Sequence, residues 1–213
     1  MTDTVVELAD VTKKLGHHEV LRGASIAVKR ATSYAIVGAN GSGKSVLLRH
    51  LCGLMLPSGG TVRFAPEFMG GGRRFPDRFG VMIDGPAYVA GFSAMKNLTA
   101  LAAIRKRASK ADCAKMLEQL GLDASSRKAA RTFSLGMKQK LGLAQAMIEQ
   151  PEVLILDEPF NALDAESVQM LTALLDEFRA GGGTVVFTSH RGEDIDAIAD
   201  EVHELDGGAL TKA

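Results

Sequence analysis

The chain has 213 residues, of which 46% are hydrophobic and 23% charged, enough for one sizeable domain, or one domain carrying a small insert. Its 25 basic and 25 acidic residues cancel to zero formal charge, which excludes the overall cationic surplus of a non-specific nucleic-acid binder. No run approaches the roughly 18 apolar residues of a membrane span; residues 31–43 are free of charge but Gly-rich, and residues 1–7 carry acids and no basic n-region, so neither a span nor a signal peptide is expected and the chain is placed in the cytosol.

In chain order, Val5-Val6-Glu7-Leu8 and the alternating Ala24-Ser25-Ile26-Ala27-Val28 predict strands of a half-exposed sheet. Tyr34-Ala35-Ile36-Val37 is a short apolar run before a Gly-rich turn and predicts a fully buried strand. A helix follows over 45–54, then a strand over 61–64 introduced by Gly59-Gly60. Gly70-Gly71-Gly72 and nearby arginines form a loop before a buried strand over 80–83. Arg73, Arg74 and Arg78, and likewise Arg105, Lys106 and Arg107, are expected to be solvated surface. From 94 to 120 the pattern is helical and rich in Ala, Leu and Lys. A further helix over 136–149 stops at Gln150-Pro151, after which strand 153–156, helix 165–179 and strand 184–188 alternate. Such alternation argues a mostly parallel sheet with crossover helices, an α/β fold, and the helical middle, 85–149, reads as an insert in it. No internal repeat or linker divides the chain. Cys52 and Cys113, far apart and without metal-ligand spacing, are expected to be reduced and buried.

Gly38-Ala39-Asn40-Gly41-Ser42-Gly43-Lys44-Ser45 fits G-x-x-x-x-G-K-[ST] at every fixed position, between a buried strand and a helix. Glycines let successive N–H groups turn toward phosphate oxygens, and the helix directs its positive end at the same charge. Lys44 would reach the β- and γ-phosphates and the Ser45 hydroxyl would ligate Mg²⁺. The strand Leu154-Ile155-Leu156 ends in Asp157-Glu158, at the end of the sheet where ligands of open α/β folds bind. Asp157 is expected to face the Mg²⁺ held by Ser45, and Glu158 to orient or deprotonate the attacking water. His190, just past the strand over 184–188, is placed to bridge a γ-phosphate oxygen and that water. His17, His18, His50 and His203 lack such placement and are read as structural.

The order of motifs resembles the nucleotide-binding subunits of ABC transporters over essentially the whole chain. Thr132-Phe133-Ser134-Leu135-Gly136-Met137-Lys138-Gln139 resembles that family's signature, Asn161-Ala162-Leu163-Asp164 its D-loop, and His190 its switch histidine. The resemblance implies a P-loop NTPase core with an N-terminal antiparallel β subdomain and a helical subdomain, 85–149, that carries the signature and engages a separate transmembrane permease. It further implies ATP hydrolysis at the cytoplasmic face of the membrane by a head-to-tail dimer, in which Ser134 and Gly136 of one subunit contact the γ-phosphate held by the other. The Ser-Leu-Gly-Met-Lys-Gln form most resembles the branch that exports bacteriocins, peptides or drugs.

Three positions depart from the family pattern. Leu15 stands where an aromatic usually stacks on adenine. Asp84, in Met82-Ile83-Asp84-Gly85-Pro86, stands where a Gln usually approaches Mg²⁺. The middle of the signature is Leu135-Gly136 instead of two glycines. A soluble ABC ATPase acting on ribosomes or DNA is the alternative, but it would be expected to carry a second ABC domain, an arm or a basic extension. A member that clamps ATP without turnover is disfavoured because Glu158 and His190 are both present.

Overall fold

The computed structural model describes residues 3–213; Met1 and Thr2, part of the stretch read for a signal peptide, lie outside the described residues. In chain order its elements begin with β1 (Thr4–Leu15), β2 (His18–Lys29), β3 (Ser33–Val37), α1 (Lys44–Leu51), β4 (Gly59–Phe64) and β5 (Phe79–Met82). Three helices follow: α2 (Ala94–Arg105), α3 (Lys110–Gln119) and α4 (Leu135–Met147). The chain closes with β6 (Val153–Leu156), α5 (Ala165–Ala180), β7 (Thr184–Thr188), α6 (Gly192–Ile198), β8 (Glu201–Asp206) and β9 (Ala209–Lys212).

Successive residues of a strand face opposite sides of its sheet, and the short apolar runs use both sides. Val153 and Ile155 of β6, Val186 of β7, and Tyr34 and Ile36 of β3 join one buried cluster, shared with α1 and the N-terminal strands. Leu154 and Leu156, Val185 and Phe187, and Ala35 join a second cluster, shared with the four helices α2 to α5. Being apolar on both faces, these strands form the middle of a six-stranded sheet of order β5-β6-β7-β3-β8-β9, parallel except for the antiparallel last pair. The N-terminal strands alternate buried and exposed residues and form a separate antiparallel sheet of order β2-β1-β4. The α/β fold with an added antiparallel sheet is therefore as expected.

Where sequence and structure differ, local chemistry gives the reason. The helical pattern over 94–120 is two helices: Lys106 takes a left-handed φ of 56° that ends α2, and Ser109 with Asp112 forms a capping box that begins α3. α6, β8 and β9 carry little periodic apolar signal. Glu201-Val202-His203-Glu204-Leu205-Asp206 is a strand because it adds to the exposed edge of β3. The two arginine runs are surface but not merely solvated. Arg105 and Arg107 reach the Asp77 carboxylate at 2.7 and 2.8 Å, with Arg73 at 3.7 Å. Arg78 ion-pairs Glu152, and its guanidinium lies 4.9 Å from the centroid of the Phe68 ring, with that of Arg30 5.1 Å from the same centroid.

Cys52 and Cys113 are buried free thiols, and burial pushes Cys52 up to about 11. His50 is fully buried, with Nδ1 2.7 Å from the Val46 carbonyl, and burial lowers its basicity. His203 is likewise lowered by burial, against the opposing pull of Glu201. Among the described residues no helix is long and apolar enough to cross a membrane.

Candidate active site

The turn after β3 needs glycine because the chain passes where a side chain has no room. Gly38 has φ 144°, and a Cβ there would lie 2.3 Å from the Leu205 carbonyl oxygen of β8. Ala39, Asn40 and Gly41 form the exposed rim of the loop, and Gly43 leads into α1. The first turn of α1 presents N–H groups without helical partners. The Ser42 hydroxyl is buried and has no hydrogen-bond partner among the described residues, which a phosphate oxygen would supply. Lys44, only 7% exposed, folds its ammonium back to donate to the carbonyls of Gly38 at 2.7 Å and Ala39 at 3.2 Å. A phosphate in the loop would compete for that ammonium.

The pairings Ile36 with Thr188 and Leu156 with Phe187 set the carboxyl ends of β3, β7 and β6 side by side at this loop. Asp157 sits just beyond β6. Its Oδ2 accepts from the Ser45 hydroxyl at 2.6 Å, and its Oδ1 accepts from the Thr188 hydroxyl at 2.7 Å. The Glu158 N–H donates to the same Thr188 hydroxyl at 2.8 Å, and Glu158 Oε2 lies 2.9 Å from His190 Nδ1. The His190 side chain is 60% exposed at the mouth. One continuous string of contacts thus joins Ser45, Asp157, Thr188, Glu158 and His190.

Ser45 and Asp157 offer adjacent hard oxygen donors, a set that suits Mg²⁺ completing its shell with phosphate oxygens and water. Among the described residues no group of three or more His, Cys, Asp or Glu side chains is arranged to hold a metal on its own. Asp84 comes to the site through its backbone, with its N–H 3.5 Å from Asp157 Oδ2. Its carboxylate, 52% exposed, is ion-paired with Arg49 of α1. Leu15 ends β1 at the tip of the β1–β2 hairpin, 46% exposed, and β1 and β2 both pack against α1.

Ser134 caps α4 by accepting from Met137 N–H at 3.2 Å. Gly136 follows where a Cβ would lie 2.7 Å from the Ala162 carbonyl, so the second signature position can be nothing larger. A cavity of about 380 Å³ is lined by Ser134, Leu135, Gly136 and Lys140 together with Ala162 and Asp164. No phosphate-loop residue lines it. The structure therefore brings Ser45, Asp157, Glu158 and His190 together and leaves Ser134 and Gly136 facing outward.

Two polar residues at the site were given no role of their own by the sequence reading. Thr188 is the lone hydroxyl at the carboxyl end of an apolar, fully buried strand. Gln139 is a polar residue on the buried face of α4, and its amide donates to the carbonyls of Glu158 and Pro159. For Gln139 the available signal was a polar side chain on an otherwise apolar helix face; for Thr188 it was a hydroxyl at the carboxyl end of a buried strand.

A family model described as "ABC transporter" matches residues 21–161. The uncharacterized ABC transporter ATP-binding protein YybJ of Bacillus subtilis is 36% identical over 206 residues, covering 97% of this chain and 94% of that protein. The bacitracin transport ATP-binding protein BcrA of Enterococcus faecalis is 33% identical over 210 residues, covering 98% of this chain and 68% of that protein. Among solved structures, an ATP-binding subunit of an ABC transporter superposes with a TM-score of 0.84 at 25% identity, covering 99% of this chain and 90% of that one.

Proposed function

The chain belongs to the ABC transporter family and is an ATPase of it, and from that premise we propose that it drives export of a peptide or drug through a separate membrane permease, two copies closing head to tail on two ATP molecules. The observation that carries the hydrolytic part is the string of contacts from Ser45 through Asp157, Thr188 and Glu158 to His190, laid along the lip of the phosphate loop.

In this reading the loop from Gly38 to Ser45 wraps the phosphates, and Lys44 turns from the carbonyls of Gly38 and Ala39 to the β- and γ-oxygens. Ser45 and Asp157, with the Asp84 carboxylate as a further oxygen donor, would hold Mg²⁺, which when bound would neutralise charge on the phosphates. Glu158 accepts the proton of the attacking water or fixes its orientation, and His190 holds the γ-phosphate end of the same line. Leu15 gives adenine an aliphatic contact in place of aromatic stacking.

The dimer is supported by the outward placement of Ser134 and Gly136. Their cavity contains no phosphate-loop residue of the same chain, which favours a site that a second copy's γ-phosphate would complete. There the N–H groups at the start of α4 favour an anion. The segment 85–149 is read as the helical subdomain, within one ABC ATPase domain over 1–213, that meets the permease at the cytoplasmic face of the membrane. The bacitracin transport protein among the relatives supports the choice of cargo class; nucleic acid is not expected as a partner.

Affinity capture of the tagged chain from membranes of its host tests the transporter reading, with recovery of a polytopic membrane protein expected and ribosomes or DNA-repair factors alone overturning it. Glu158→Gln tests the sandwich: with ATP it should elute as a dimer in size-exclusion chromatography, and a monomer that still binds ATP would remove the head-to-tail model.

A further inference from the structure

The Glu158 peptide is held in a left-handed conformation, φ 48°, which is strained for a residue other than glycine. Such a backbone persists only when its surroundings over-determine it, and here both faces of the residue are gripped by side chains. On one side the N–H donates to Thr188 Oγ1 at 2.8 Å, and that hydroxyl in turn donates to Asp157 Oδ1 at 2.7 Å. On the other side the Gln139 amide donates to the Glu158 carbonyl at 2.9 Å and the Pro159 carbonyl at 3.1 Å. Both acceptors are carbonyls, so the amide nitrogen of Gln139 must face them. Thr188 is fully buried and Gln139 nearly so. Water is thus a poor substitute for either partner.

Resting on the reading of Glu158 as the residue that acts on water, we propose that Thr188 and Gln139 are positioning residues that clamp the Glu158 peptide and aim its carboxylate. The clamp has a mechanical consequence. Gln139 rides on α4, the helix that Ser134 caps, so a displacement of that helix acts directly on the Glu158 carbonyl. Contact of Ser134 with a neighbouring copy's nucleotide would therefore be felt at this chain's own catalytic carboxylate through one rigid helix and one hydrogen-bonded amide.

The test is steady-state ATPase kinetics with separate nucleotide-binding measurements on Thr188→Val, Thr188→Ser, Gln139→Leu and Glu158→Gln, singly and combined. Thr188→Val keeps shape and removes the hydroxyl; Gln139→Leu keeps bulk and removes the donors. Each is expected to lower kcat by about 10- to 100-fold, as loss of aim in acid–base catalysis does, while KM and ATP affinity change by less than about threefold. Thr188→Ser, which keeps the hydroxyl, should recover most of kcat. In the Glu158→Gln background neither clamp variant should lower the residual rate further, because the group they aim is already gone. A merely structural role predicts the opposite: lower melting temperature, KM and kcat moving together, and additive losses. Full kcat in Thr188→Val and Gln139→Leu, or additivity with an impaired Glu158→Gln, overturns the clamp alone. Unimpaired turnover in Glu158→Gln removes the role of Glu158 first, and the clamp falls with it.

Discussion

The Ser45 hydroxyl donates to Asp157 Oδ2 at 2.6 Å across 112 residues of sequence, joining the first helical turn after the phosphate loop to the end of β6. That contact makes the two side chains a single oxygen-donor unit. Ser45→Ala removes one donor and should raise the Mg²⁺ concentration for half-maximal ATPase activity by about tenfold or more, in line with one lost ligand of a weakly held cation. Asp157→Asn should shift it further, because a charge is lost as well. ATPase rates across a Mg²⁺ titration check both, and unchanged half-saturation in the two variants would dissociate the pair from the metal.

Lys44 carries the phosphate-facing charge, and among the described residues its ammonium is hydrogen-bonded to the carbonyls of Gly38 and Ala39, neither of which carries a charge. Lys44→Ala should therefore unfold nothing. Its melting temperature should stay within a few degrees of the parent, while ATP affinity falls by about two orders of magnitude for loss of a charge-assisted contact of roughly 3 kcal/mol. Calorimetric titration with ATP beside a thermal melt separates the two effects.

Much of this site was legible in the sequence because its chemistry comes in short, rigid spacings. The phosphate loop, Asp157-Glu158 at the end of an apolar strand, and His190 after the next strand each needed only local pattern. What stayed hidden depends on non-local geometry. Thr188 looked like the last residue of a strand until the pairing of β6 with β7 set it between Asp157 and Glu158. Gln139 was read as part of the signature stretch, and its acceptors lie 19 and 20 residues away across a packing interface. The same holds for the fold. Buried β6 and β7 were read to the residue, whereas β8 and β9, half exposed and polar, are defined by the strand they pair with.

The Asp77 cluster gives a pH dependence with a definite sign. Burial by itself would raise the Asp77 carboxyl, but hydrogen bonding from Arg107 and the Arg78 N–H, with the charge of Arg105, outweighs it and holds the group at about 2. A carboxyl held below its unfolded value of about 3.9 contributes stability above that pH, and the contribution disappears as pH falls toward 2. The parent should therefore lose more stability between about pH 4 and pH 2 than Asp77→Asn does. Urea midpoints across that range check this, and parallel curves for the two proteins would show the cluster to be energetically silent.

The capping box at Ser109 should decide whether α3 starts where it does. Ser109 Oγ accepts from Asp112 N–H at 3.2 Å, and Asp112 Oδ2 accepts from Ser109 N–H at 2.8 Å. Ser109→Ala removes one of these and should destabilise the fold by about 1 kcal/mol. Because the box is remote from the phosphate loop, kcat should not move. Urea unfolding and ATPase assays on the same preparation test both halves.

Asp84 and Arg49 give opposite predictions for one titration. The Asp84 carboxylate is ion-paired with Arg49, while its own N–H lies 3.5 Å from Asp157 Oδ2, so the residue borders the proposed cation site with its charge engaged elsewhere. Arg49 competes for it. If Asp84 turns to the cation during turnover, Arg49→Met should lower the Mg²⁺ concentration for half-maximal rate, because the competing guanidinium is gone. Asp84→Asn should raise it, because the charge that the cation would attract is gone. Both groups are substantially exposed, and exposed pairs contribute less than about 1 kcal/mol, so neither variant should alter the melting temperature noticeably. Shifts of opposite sign would make Asp84 a ligand held in reserve by Arg49. Half-saturation that is the same in all three proteins would leave the pair as a surface contact, with Ser45 and Asp157 alone holding the cation.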